Sequence, residues 1–402
     1  MRVSTSQIYT LGVEAIGRQN SDLLHSQQQI AAGRRILTPA DDPIGAAQAV
    51  KVTQAADQLT QYATNVDTAK SALSLNDSIL GSITDVLQSV RTTAVNGGSG
   101  ALANSDRVSL AGDVSARLQS LLALANSKDG DGRYLFSGFQ GASQPFVQGG
   151  SSIVYNGDQG QRELQVASGR QLSISENGDD VFQQVRNGNG TFSATAAAAN
   201  AGTGVVDGGQ VVNAGAVNGH SYSLVFHVSG GATTYDAIDL TTATTISSGN
   251  VYTDGSAITV GGEQVSISGA PGDGDSFTLA PSTQQSIFDM VKNLVNVLQA
   301  PVTDAAGRAR LANGINQALQ NVDQALGNVL ATRAGVGARL RELDSVTQAN
   351  QDRSDQYAQT LSTLQDLDYN KALSDFARQQ LALEAAQKSF LKVTGLSLFS
   401  YF

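Results

Sequence analysis

Residues 9–30 read YTLGVEAIGRQNSDLLHSQQQI and residues 369–390 read YNKALSDFARQQLALEAAQKSF. In the first stretch Tyr9, Val13, Ile16, Asn20, Leu23, Gln27 and Ile30 follow one another in alternating steps of four and three. In the second, Tyr369, Leu373, Phe376, Gln380, Leu383, Gln387 and Phe390 do the same. That rhythm is the heptad seam of a coiled coil, whose a and d side chains enter a facing helix as knobs. So narrow an apolar stripe does not hold an isolated helix together in water, so both ends of the chain need a partner helix. The pattern predicts ends that pair with each other and with neighbouring copies. Asn20, Gln27, Gln380 and Gln387 put polar groups on the seam, which costs stability and specifies register.

Inward from the first stretch, Gly33 beside Arg34 and Arg35 is a helix C-cap signal, with cations placed to meet the negative end of the helix dipole. A connector follows, in which Asp42 is suited to cap a new helix and Pro43 to its first turn. From Val52 through Leu59, Val66, Leu73, Leu80, Leu87 and Ala94 the same 4-3 step continues without a break. Roughly six heptads at ~1.5 Å per residue make a rod on the order of 60 Å long. Asn96-Gly97-Gly98 stops it, and a further helix beginning near Ser105 sets Ala111, Val114, Leu118, Leu121 and Ala125 on one face.

From Tyr134 to Thr283 the helical period gives way to short alternating runs such as 153–155, 163–166, 172–174, 223–228, 257–260 and 276–279. Asn156-Gly157, Asn177-Gly178 and Asn218-Gly219 separate them, a pattern of hairpins and antiparallel sheet. Asn187 to Gly215 is low in complexity and reads in part as loop. Helix returns with Ile287, Met290, Leu294 and Val297, ended by Pro301, and then runs from Ile315 to Leu364. A phase slip at Asp366-Leu367-Asp368 mirrors the connector at 36–43. The fold class expected is mainly α with a β-rich insertion: an antiparallel coiled-coil or helical-bundle rod built by the N- and C-terminal arms, carrying a central antiparallel β domain. The layout divides into residues 1–41 with 366–402 as a terminal coiled-coil assembly domain, 42–185 with 284–365 as a helical rod with β hairpins, and 186–283 as a surface-projecting β-rich domain.

Composition excludes several functions. The 402 residues carry a formal net charge of -10 and no cysteine, so disulfides, thiol catalysis and Cys-ligated metals are ruled out. No basic face is visible that could displace the counterions of a nucleic acid, and the acidic balance disfavours an anionic membrane surface. No apolar run approaches the ~20 residues of a membrane helix, so no membrane insertion is expected. Met1 to Thr10 lack the apolar core of a secretory signal, so any export would use no cleaved signal peptide.

The chemical motifs are weak. Asp273 and Asp275 match part of a calcium loop, but the distal Glu is missing, which leaves a plain turn. Gly202 and Gly204 are followed by Asp207 where a dinucleotide fingerprint needs its third glycine. Asn189-Gly190-Thr191 fits a glycosylation acceptor, a triplet common by chance. His220 and His227 read as ordinary strand residues, and no Ser, His and acid set has nucleophile spacing. No catalytic, cofactor or metal residues are assigned, and the chain is not expected to be an enzyme.

Three stretches carry a resemblance: Gly33-Arg34-Arg35-Ile36-Leu37-Thr38-Pro39-Ala40-Asp41-Asp42-Pro43; Asp366-Leu367-Asp368-Tyr369 leading into Gln379-Gln380-Leu381-Ala382-Leu383-Glu384-Ala385-Ala386-Gln387; and the tail Gly395-Leu396-Ser397-Leu398-Phe399-Ser400-Tyr401-Phe402. Together they resemble the flagellin superfamily, and within it the hook–filament junction branch rather than flagellin itself. The resemblance covers roughly residues 1–130 and 284–402. It implies an extracellular structural adaptor of the bacterial flagellum, polymerising through its terminal helices. Its implied partners are copies of itself, a hook-side junction protein, flagellin, and an export chaperone holding the C-terminal region. The implied assembly interface is the two heptad stripes above together with Leu398, Phe399 and Phe402, since clustered exposed aromatics mark binding surfaces. A flagellin-like filament subunit and an extracellular adhesin with a helical stalk are the alternative readings.

Overall fold

The computed structural model describes residues 5–150 and 152–395. Among these, six α-helices, α1 (Thr5–Ala32), α2 (Pro43–Gly97), α3 (Asn104–Ala125), α4 (Ile287–Gln299), α5 (Ala305–Gln365) and α6 (Tyr369–Gly395), flank a β-rich middle in the chain order. The chain forms two compact units, Met1–Asn65 with Ser345–Phe402, and Val66–Asp344.

Helix boundaries follow the cap chemistry. Gly33 adopts φ 67° just past α1, the left-handed conformation that glycine reaches without a Cβ penalty. Asp42 Oδ1 accepts the Gly45 N–H at 2.8 Å ahead of α2, which satisfies a first-turn donor. The stripe of α2 is buried at every position the 4-3 step picks from Leu59 to Ala94, including Asn76. On α5 the deepest residues are Ile315, Ala318, Val322, Ala325, Val329, Val336, Leu343 and Val346, whereas Leu319 and Leu326 are only half-buried and Thr347 is exposed. The seam there leans one residue from the expected phase. Within the second unit Arg91–Asp323 (2.6 Å), Asp77–Arg333 (2.9 Å) and Lys70–Asp344 (2.8 Å) pair across α2 and α5, and their order shows that the helices run antiparallel. These half-exposed pairs fix register more than they stabilise.

Two hairpins come first, β1 (Phe146–Gly149) with β2 (Ser152–Tyr155) and β3 (Glu163–Ala167) with β4 (Arg170–Ser173). Beneath them Phe136, Phe146, Phe182 and Phe288 are fully buried, with contacting ring centroids 5.1–5.6 Å apart. The short strand β5 (Val185–Arg186) then leads into the main β region. That region comprises β6 (Phe192–Ala196), β7 (Val205–Val206), β8 (Gln210–Val211), β9 (Tyr222–Ser229), β10 (Ala232–Asp239), β11 (Thr244–Val251), β12 (Ala257–Val260), β13 (Glu263–Ser268) and β14 (Ser276–Pro281). It ends with β15 (Gln284–Gln285), which pairs with β5. A five-stranded antiparallel sheet in the order β11-β10-β9-β14-β6 shares one core with a second sheet, β12-β13-β7, to which β8 adds. The core holds Phe192, Leu224, Phe226, Ile267, Phe277 and Leu279, all fully buried.

Residues 187–215, read in part as loop, also hold β6 and the two-residue strands β7 and β8. In the main β region the tight hairpin turns are glycine pairs, Gly230-Gly231 and Gly261-Gly262, with all four φ angles positive. Two-residue hairpins need that backbone, while the Asn-Gly pairs sit in wider connections.

One polar feature of α5 has no counterpart in the heptad reading. Asn313 accepts from Val206 N (2.9 Å) and donates to Gly204 O (3.0 Å), and Asn316 donates to Val206 O (3.2 Å). Asn321 accepts from Gly188 N (2.9 Å), and Asn328 donates to Asp180 O and Val181 O. Their spacing along the helix puts these amides where they grip the main chain of the insertion. Each supplies a partner that a buried loop would otherwise lack.

Glu263 is 2% exposed, and its Oε2 is buried without a hydrogen-bond partner. Burial pushes its pKa from 4.5 up to about 7. Its folded pKa therefore lies above the unfolded one. The group carries no penalty below pH 4.5, and the fold loses stability progressively as pH rises from there through about 7. Glu263→Gln is expected to match the parent near pH 4 and to exceed it by about 2 kcal/mol above pH 8 in urea unfolding. Equal stability at pH 8 would mean the carboxylate is hydrated.

Candidate assembly surface

α1 and α6 lie side by side in antiparallel fashion. The Tyr9 and Phe390 rings stand 5.3 Å apart at one end. At the other end, Gly33 sits where a Cβ would lie 2.9 Å from the Tyr369 hydroxyl. Ile16, Leu23 and Ile30 of α1 and Phe376, Leu383 and Phe390 of α6 are half-buried along this pair. The column beside them is not the one the sequence singles out. Gly12, Gln19 and Ser26 on α1, with Ala372, Gln379 and Ala386 on α6, are the half-buried residues in step with them. At Gly12 a Cβ would come 2.6 Å from the Phe390 ring, so this glycine lets the two helices close up there.

Val13, Asn20 and Gln27, and likewise Leu373, Gln380 and Gln387, are exposed, one position round from the seam. The physical reason is that the apolar column is flanked on both sides by columns in heptad phase, and a single helix pair can cover only the side with the smaller residues. Left facing outward are Leu11, Val13 and Leu24 of α1 and Leu373, Leu381, Leu391 and Val393 of α6, each about half exposed or more. Tyr9 and Tyr369 also remain 55% and 51% exposed. Leu398, Phe399 and Phe402 lie outside the described residues.

The two phase slips, far apart in sequence, are bonded to each other. Arg34 and Asp366 form an antiparallel bridge. Arg35 N donates to Gln365 O at 2.7 Å, and Leu367 N to Gly33 O at 3.1 Å. Arg35 adds its guanidinium, donating to Leu364 O (2.8 Å) and to Asp42 Oδ2 (3.2 Å). Asp41 Oδ2 accepts from Leu37 N and Thr38 N, and His25 approaches its carboxylate at 3.4 Å. The Thr38 N–H holds the Asp41 carboxyl below the usual range, and the Gly45 N–H does the same for Asp42. The Thr-Pro-Ala-Asp-Asp-Pro connector is thus a set of carboxylate-capped turns, and Gly33-Arg34-Arg35 just before it clasps the far slip.

A groove of about 690 Å³ runs along the pair, lined among others by Asp22, Ser26, Lys371, Asp375 and Gln379. Gln379 Oε1 is buried there without a donor. The other motifs resolve into turns and strands. The Asp275 carboxylate accepts from Ala201 N, Gly202 N and Gly272 N. The Asn189 side chain donates to Gly208 O and Gly209 O and accepts from Thr191 N and Phe192 N. His227 on β9 and His220 just before it pair with Asp236 and Asp239 of β10. Among the described residues no group of three or more His, Asp or Glu is placed to hold a metal ion, and no helix is long and apolar enough to cross a membrane.

Against known proteins, residues 3–141 match the bacterial flagellin N-terminal helical region. The flagellar hook-associated protein 3 of Escherichia coli (strain K12) is 27% identical over 99% of both chains. The crystal structure of the flagellar junction protein FlgL from Legionella pneumophila superposes with a TM-score of 0.72 at 32% identity, covering 79% of this chain and 100% of that one. FlgL of Xanthomonas campestris gives 0.71 at 30% identity, covering 77% and 99%. With helical arms, a β-rich insertion and a clasped terminal pair all in place, the chain belongs to the flagellar hook-associated protein 3 family, a structural family of the bacterial flagellum.

Proposed function

We propose that this chain is an adaptor at the hook–filament junction, joining the hook side to flagellin by polymerising through α1 and α6. The observation that carries this reading is the apolar surface left outside the terminal pair. Val13, Leu24, Leu373, Leu381 and Leu391 each leave about half or more of their surface in water, and exposed apolar surface gathered on one helix pair marks an interface. In this reading the domain at 1–41 and 366–402 packs between copies and the rod at 42–185 and 284–365 forms the wall around it. Residues 186–283 project outward. The partners are copies of the chain, the hook-side junction protein, flagellin, and an export chaperone on the C-terminal region. The Tyr9–Ile30 and Tyr369–Phe390 stripes, with Leu398, Phe399 and Phe402, supply the contacts.

Fractionating sheared flagella tests this placement. The chain is expected at the joint and scarce relative to the filament protein. Finding it as the bulk of the filament would make it a filament subunit, and finding it away from the flagellum would favour an adhesin.

A further inference from the structure

Asn218 and Gly219 lie in the exposed connection before β9, and Gly219 has φ 75°. The Asn218 side-chain oxygen accepts two hydrogen bonds, from the main-chain N–H of His220 at 3.0 Å and from the Tyr222 hydroxyl at 2.7 Å. Tyr222 is 2% exposed, so its hydroxyl is a fixed donor. Gly261 makes room for it, since a Cβ there would stand 2.3 Å from the Tyr222 oxygen. His220 is anchored in turn by Asp239 at 2.7 Å. Burial pushes the Asp239 carboxyl up, but the hydrogen bonds from His220, Thr242 and Thr241 outweigh it and hold it at about 2. The carboxylate is therefore ionised and the anchor persists at neutral pH.

We infer that Asn218–Gly219 is a self-modification site, at which the fold promotes conversion of the asparagine to aspartate or isoaspartate. The Gly219 nitrogen loses its proton to solvent base and bonds to Asn218 Cγ. The negative charge that develops on the side-chain oxygen falls where His220 N–H and Tyr222 O–H already point, the arrangement that stabilises oxyanions in acyl transfer. Breaking of the Cγ–Nδ2 bond releases ammonia, with a proton taken from solvent, and leaves a five-membered succinimide. Water then adds to either ring carbonyl, and cleavage of its C–N bond gives aspartate or isoaspartate. One water is consumed and one ammonia released, with no redox change.

Other Asn-Gly pairs provide the contrast. The N–H groups of Gly178, Gly188 and Gly190 are committed to Phe136 O, Asn321 Oδ1 and Asn187 O. Asn156 is exposed like Asn218, and no described group donates to its side-chain oxygen. Asn156–Gly157 is therefore an internal reference that lacks the two donors. Its Gly157 is also half-buried against the Tyr155 ring, whereas Gly219 is open, so the Tyr222→Phe comparison at Asn218 itself isolates the donors.

Incubation of the full chain at neutral pH, followed by peptide mapping of the amide-to-acid mass gain, gives both rates from one sample. Asn218 is expected to convert about tenfold or more faster than Asn156 in the native protein, a modest share of what one oxyanion donor supplies in enzymes. In denaturant the two rates should converge. Tyr222→Phe, which removes only the hydroxyl, should bring the native ratio down towards one while leaving the Asn156 rate unchanged. If that variant fails to fold, the native and denatured rates of the parent chain decide. Equal native rates, a slower Asn218, a ratio that persists in denaturant, or a folded Tyr222→Phe with an unchanged ratio would each overturn the inference.

Discussion

A chain carrying Val13→Glu together with Leu373→Glu will fold as the parent does and fail to join its own copies. Both side chains are about half exposed, at 47% and 53%, in the isolated chain. A carboxylate at either position stays hydrated there, and the cost to folding is within about 0.5 kcal/mol. In an interface between copies the same carboxylates are buried without partners, at several kcal/mol each by the ~3–5 kcal/mol scale of broken buried charge pairs. Repeated in every subunit, that exceeds what a weak helical contact supplies. Ile16→Glu or Leu383→Glu would instead strike the half-buried column and unpair α1 from α6. The comparison separates a defect of assembly from a defect of folding. Circular dichroism melting reads folding, and restored motility in a strain lacking the protein reads assembly. Unimpaired motility from the double variant would remove Val13 and Leu373 from the interface.

Phe226→Ala is expected to cost about 3–5 kcal/mol, the range for emptying a buried aromatic site. Phe226 is fully buried on β9, with ring centroids 5.3 Å from Tyr252, 5.6 Å from Phe277 and 5.8 Å from Tyr235. The Tyr252 and Phe277 contacts are edge-on, so the loss includes specific ring geometry as well as area. Phe226→Leu keeps most of the volume and should cost below about 1.5 kcal/mol. Denaturant unfolding followed by amide exchange checks both, with protection lost first in β9, β10 and β14. A cost under about 1 kcal/mol for the alanine variant would show that the sheets collapse onto the gap.

The helices were legible because one period persists over a long run. On α2 a single apolar column from Leu59 to Ala94 leaves only one face that can be buried. The terminal seam was legible only to within one residue. Ile16, Leu23 and Ile30 belong to two possible seams, and the choice between Val13 and Gly12 is a matter of backbone approach. Gly12, Ala372 and Ala386 were the available signal, since small residues in heptad phase mark where helices come closest. The amides of α5 were illegible for a different reason. Asn313, Asn316, Asn321 and Asn328 look like a solvated face, and their partners are main-chain atoms that have no sequence signature. Their one trace is the repeated choice of a poor helix former on one helix. Strands β7 and β8 escaped because two residues are too short to show alternation, and β6 because its first three residues, Phe192, Ser193 and Ala194, are all buried.

The clasp of Arg34 on Asp366 gives the chain an unusual freedom. Everything between those residues is one closed loop, and the register of the two end helices is set by hydrogen bonds at its mouth. Closure entropy grows only with the logarithm of loop length, so doubling the enclosed chain adds just ~0.6 kcal/mol. A descendant can therefore lengthen, trim or exchange its middle without renegotiating how its ends meet. How the ends meet is thereby decoupled from how long the chain between them is.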